Sequence, residues 1–113
     1  MVIEFTLPIR TVNPTNNRQH WRTVWQRSKR QRRDALVGTK PHAMALPVDV
    51  TLTRHSPGTL DDDNLRPALK AVRDGIADAF GVPDNDPRIR WHYDQAKAPR
   101  GQHFVTVRIT PQE

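Results

Sequence analysis

Apolar residues recur with two different periods along this 113-residue chain, and the change of period marks its elements. "VIEFTLP" (Val2–Pro8) is short, β-branched and closed by a proline, which predicts a strand. "TVNPTNNR" (Thr11–Arg18) is rich in turn formers and offers Thr15, Asn16 or Asn17 as helix N-caps. From about Arg18 to Val37, Trp21, Val24, Trp25, Ala35 and Leu36 follow helical spacing, with Ser28 and Arg32 weakening the middle of the stripe. Gly38 is the expected stop. "VDVTLTRH" (Val48–His55) alternates strictly and predicts a second strand. A second helix is predicted from about Asn64 to Phe80, its stripe Leu65, Leu69, Val72, Ile76 and Ala79/Phe80. Pro67 is placed in its first turn, where a missing N–H costs nothing, and Gly81 ends it. "RIRWHYDQAK" (Arg88–Lys97) sets Ile89, Trp91 and Tyr93 on one face, and "HFVTVRIT" (His103–Thr110) does the same with Val105, Val107 and Ile109.

The predicted order is β-α-β-α-β-β over a single domain, residues 1–113. That is an α/β (α+β) chain with two helices packed on a mixed sheet, the last two strands forming a hairpin.

Composition narrows the chemistry. There is no cysteine, so disulfides, thiol nucleophiles and Cys-ligated zinc are excluded. The opening "MVIEFTLPIR" lacks the long apolar run of a secretory signal, and no apolar stretch is long enough to span a membrane. The net charge of +6 favours polyanionic partners, nucleic acid first. The bland alternative is solubility.

Against that background "TLDDDNLRPALKAVRDG" (Thr59–Gly75) stands out, with three adjacent aspartates in a basic chain. Carboxylates at a helix start complement the macrodipole, at roughly 0.3–1 kcal/mol each. One or two would serve. Asp61 and Asp63 point to one side of an extended segment, and Asp84 and Asp86 follow the far end of the same helix. If Val48–His55 and Arg88–Lys97 are neighbours, the two pairs are expected to meet at adjacent strand ends. Each close pair then costs about 4 kcal/mol at an intermediate dielectric, and a hard divalent cation is the usual offset. Such a cluster in a basic chain suggests metal-assisted attack on a phosphodiester, against the alternative of helix capping plus an exposed acidic loop. Lys70 lies on the helical face of Asp63 and is expected to overlook the site, with Asp74 as its i,i+4 partner.

"DDDNL", a helix bearing a lysine, and "DNDPRI" leading into a strand together resemble the RusA family of Holliday junction resolvases. "LPIRTVNPTNNR" resembles that family's opening strand and asparagine-rich loop, so the likeness covers nearly the whole chain. Asp61, Asp63, Asn64 and Leu65 match the D-x-D-N-L motif, and Asp86 matches the second acid of the later pair. The family lysine falls where this chain has Pro67; Lys70, one turn later, and Arg66 are the two candidates for its role. The resemblance implies a catalytic, metal-binding triad of Asp61, Asp63 and Asp86. It also implies Mg²⁺ (or Mn²⁺) as cofactor, a homodimer, branched DNA as substrate, and a cytoplasmic protein of bacterial or phage origin.

Seven Lys or Arg lie between Arg18 and Arg33. Asn16, Asn17, Arg18, Arg22, Lys29, Arg30 and Arg33 are read as the DNA-contacting surface, joined by Arg66. Trp21 and Trp25 are expected in the core, as are Trp91 and Tyr93. The five histidines show no metal-ligand spacing. The rival reading is a non-catalytic nucleic-acid-binding protein whose aspartates only cap a helix.

Overall fold

The computed structural model describes residues 1–11 and 21–112. The elements follow in the expected order: β1 (Ile3–Leu7), α1 (Trp21–Thr39) with a 3-10 turn at Lys40–His42, β2 (Val48–Ser56), α2 (Asp62–Phe80), β3 (Ile89–Lys97) and β4 (Phe104–Pro111). Gly38 does not stop α1, which runs one residue past it.

The four strands form one mixed sheet in the order β1-β4-β2-β3. β2 pairs with β3 in parallel, Val48 opposite Ile89 and Ser56 opposite Lys97. β4 is antiparallel to both β1 and β2. The expected β3–β4 hairpin is therefore absent, and β2 lies between the two. The reason is α2: it carries the chain from the end of β2 back to its beginning, so β3 starts parallel to β2 at one edge. β4 then pairs on the other side of β2.

The strands bury the residues that the alternation selects. Val48, Val50, Leu52, Val105, Val107 and Ile109 are fully buried, and Leu65, Leu69, Val72 and Ile76 of α2 lie over them. Trp91 and Tyr93 pack on this core half-buried, as expected. α2 ends at Gly81, whose φ of 74° lets its N–H and that of Val82 close on the last carbonyls. Its start differs from expectation. Asp61 is the N-cap residue and Asp62 and Asp63 form the first turn. Pro67 thus sits in the second turn, and its missing N–H is the one that would bond the Asp63 carbonyl.

α1 lies alongside α2 in the same direction. Val24 shares a groove with Pro67, while farther along Arg32 forms a two-pronged ion pair with Asp78 at 2.7 and 2.9 Å. The more buried stripe of α1 is small and partly polar: Val24, Gln31, Ala35 and Thr39. Its side chains let the helices approach until Gly75 touches the backbone of Arg32. Trp21 and Trp25 are not core. They are 66% and 57% exposed, because so close an approach leaves no room for an indole between the helices. Among the described residues no helix is long and apolar enough to cross a membrane.

A methyl group on Gly75 would meet the Arg32 carbonyl and stand 2.7 Å from the Ala35 Cβ. Gly75→Ala is expected to force the helices apart and destabilise the fold by about 1–3 kcal/mol. Chemical denaturation of the two proteins reads the difference.

Candidate acidic site and nucleic-acid interface

The loop from β2 to α2 is fixed at three points by side chains that the sequence reading did not select. Arg54, buried at the inward position after Leu52, donates Nε–H to Thr11 Oγ1 at 2.9 Å and Nη1–H to the Gly58 carbonyl at 3.1 Å. The Gln95 amide holds both sides of Leu60, accepting from its N–H at 3.0 Å and donating to its carbonyl at 2.6 Å. A charge at an inward position of a clean β alternation is the signal that could have singled out Arg54. Gln95 carried no such signal, since it matters only through its register beside the loop.

Asp61, Asp62 and Asp63 emerge from this braced loop and are all exposed. Asp61 has the extended backbone of an N-cap, but its side chain makes no capping hydrogen bond. Its carbonyl instead accepts from Asn64 N–H and Leu65 N–H, both at 2.9 Å. Other aspartates are ion-paired: Asp49 with Arg90, Asp74 with Lys70, Asp78 with Arg32, Asp84 with Lys70 and Arg73, and Asp86 with Arg88. Among the described residues no ion pair reaches Asp61, Asp62 or Asp63.

Asp86 does not join them within one chain. β2 and β3 are neighbours, but a parallel pair has its like ends together. Asp61–Asp63 follow the end of β2, whereas Asp86 precedes the start of β3, where its carbonyl accepts from Ile89 N–H. Gln95, which touches Leu60, is six residues along β3 from Ile89, about 20 Å at the usual strand rise. Among the described residues no three His, Cys, Asp or Glu side chains stand close enough to share an ion. Asp86 is held by Arg88, which donates through its backbone N–H and its guanidinium at 2.9–3.0 Å. Those bonds lower its pKa to about 2.

Lys70 is likewise turned away from the acidic loop. Its ammonium donates to Asp74 at 2.7 Å and to Asp84 at 2.6 Å. The first contact is the expected i,i+4 pair; the second arises because the chain after Gly81 folds back along α2. The bond from Lys70 holds Asp84 below the usual carboxylate range. Arg73 completes this knot, donating to the Asp84 carbonyl and to the Tyr93 hydroxyl while lying over Trp91. Arg66 is nearer the acids. It lies over the Tyr93 ring at 5.1 Å and lines an open groove of about 380 Å³ with Asp62, Trp91 and His92 along the outer side of β3.

On α1, Arg22, Lys29, Arg30 and Arg33 are all exposed. Because the two helices run the same way, their N-terminal ends lie at one end of the molecule, so the basic face leads toward Asp61–Asp63. Asn16, Asn17 and Arg18 fall outside the described residues.

The Asp86–Arg88 contact has a defined pH signature. With its pKa depressed, Asp86 contributes stability that is present above the ordinary carboxylate range and lost as pH falls through about 2. An NMR titration of its carboxyl should show that midpoint, and Arg88→Ala should return it toward 3.8. Comparison of the chain with family models and with curated proteins found no match.

Proposed function

We propose that the chain is a metal-dependent endonuclease for branched DNA, of the RusA resolvase type, and that it acts as a homodimer. One observation carries the reading. In a protein that ion-pairs Asp49, Asp74, Asp78, Asp84 and Asp86, three adjacent exposed carboxylates are reached by no ion pair among the described residues, on a loop braced by Arg54 and Gln95. Helix capping, the rival account, lacks its hydrogen bond at Asp61.

The donors present at this end suit a hard divalent cation: the exposed Asp61 and Asp63 carboxylates. When bound, such an ion polarises the phosphodiester and acidifies a water molecule. A single chain supplies only part of the expected triad, and a second copy supplies the rest. β3 is an open edge of the sheet, and its outward residues Arg90, His92 and Asp94 are self-complementary when the strand is reversed. Antiparallel pairing about His92 sets Arg90 opposite Asp94 of the second copy and Trp91 opposite its Tyr93. The same register sets Gln95 opposite Ile89 of the second copy, which carries the second copy's Asp86 toward Asp61 and Asp63. Two composite sites result, related by the two-fold axis, as paired cuts at a four-way junction require. Arg66, on the outer side of β3 next to Asp62, is better placed than Lys70 to hold the scissile phosphate, since Lys70 is engaged by Asp74 and Asp84. The exposed cations of α1 hold the flanking backbone.

Asp63→Asn should abolish Mg²⁺-dependent cleavage of a labelled four-way junction while leaving its gel-shift unchanged. Loss of binding together with cleavage in a folded variant would count against the assignment. Mixing inactive Asp63→Asn with inactive Asp86→Asn tests the composite site. A mixed dimer retains one site with both acids intact, so nicking should reappear. Continued inactivity of the mixture, with each variant still dimeric by sedimentation, would rule out sharing between subunits.

A further inference from the structure

Trp25 and its surroundings point to a use that cleavage chemistry does not require. Burying an indole removes about 150–250 Å² from water, and a helix with Trp at i and i+4 ordinarily spends both on the core. Here Trp25 stands more than half exposed at the side of α1, with the Lys29 ammonium 4.8 Å from its ring centre. One turn earlier the Arg22 guanidinium lies 5.3 Å from the ring of Trp21, itself two-thirds exposed. Beside Trp25 opens a groove of about 410 Å³ between α1 and α2, lined by Ser28, Lys29, Arg32, Ala71 and Asp74. It is large enough for a nucleobase, with the indole as one wall, a carboxylate inside and cations at the rim.

We propose that this groove is a stacking slot for an unpaired nucleobase, with Lys29 holding the phosphate next to it. Charge selects the occupant. Lys29 lies over the indole and Arg32 lines the groove, with Arg30 and Arg33 exposed on the same helix, so an apolar protein partner would have to desolvate cations, whereas a nucleic-acid strand neutralises them. An aromatic face accepts any base, but only one that is already unstacked, so the slot takes single-stranded segments and strands opened at a branch and ignores continuous duplex. The proposal rests on the nucleic-acid part of the functional reading and is independent of the metal and of Asp63.

The test is equilibrium binding in EDTA of a fluorescent oligothymidylate of about 12 nucleotides and of a duplex, by wild type, Trp25→Ala and Trp25→Phe. Trp25→Ala should weaken oligothymidylate binding about tenfold or more and duplex binding by less than about twofold, and Trp25→Phe should restore most of the loss. Trp25 is largely exposed, so the alanine variant is expected to fold. Unchanged oligothymidylate affinity, or an equal loss on both ligands, would overturn the slot, as would conversion of a dimer to monomers by Trp25→Ala, which would mark the face as a protein interface. A protein that binds oligothymidylate through Trp25 yet cuts no junction keeps this proposal and loses the nuclease assignment. One that cuts junctions with Trp25→Ala binding unchanged does the reverse.

Discussion

The parallel pairing of β2 with β3 is the constraint from which the rest of the molecule follows. A strand placed parallel to its predecessor must begin where that one began, so the connecting chain has to travel the length of the sheet in the opposite sense. α2 does this in a single helix and covers the buried face with Leu65, Leu69, Val72 and Ile76 as it goes. The crossover also fixes the distribution of charge. Whatever precedes α2 lies at one end of the sheet, and whatever follows it lies at the other. Asp61–Asp63 and Asp86, which flank the same helix in the sequence, are separated by this topology.

The second determinant is how closely α1 lies on α2. Gly75 and Ala35 meet at the point of contact, and the Arg32–Asp78 pair fixes the crossing. So tight a seam has no volume for large side chains. It turns Trp21 and Trp25 outward, converting what would be core material into surface. The same seam aligns the helix starts and brings the cationic side of α1 to the acidic end of α2.

Much of this was legible in the residues. Alternation located β2 and β4 because each has one face committed to the core, and β3 because Ile89, Trp91 and Tyr93 share the face that packs on it; Val48, Val50 and Leu52 leave no other reading. The α2 stripe is equally plain. What escaped were relations between elements. A two-strand hairpin and a parallel crossover can follow from the same local pattern, and nothing within β3 or β4 says that β2 will come between them. The Trp21/Trp25 spacing fits a buried stripe, and only the small residues of the partner helix, Ala71 and Gly75 among them, show that indoles have no place there. At the candidate site the aspartates themselves were visible as an anomaly of composition. That no ion pair reaches them among the described residues was not, because pairing depends on Lys70 and Arg88 reaching Asp84 and Asp86 and not Asp63.

The ion pairs on β2, β3 and the far half of α2 have a further electrical consequence. Each cancels its own charges over a few ångströms and contributes almost nothing at a distance, so the long-range field comes from the charges left over. Among the described residues, Lys29, Arg30 and Arg33 of α1 and the three aspartates at the start of α2 are in no ion pair and contribute to that field. In such a field any charged molecule feels a force that depends on its orientation before it makes contact.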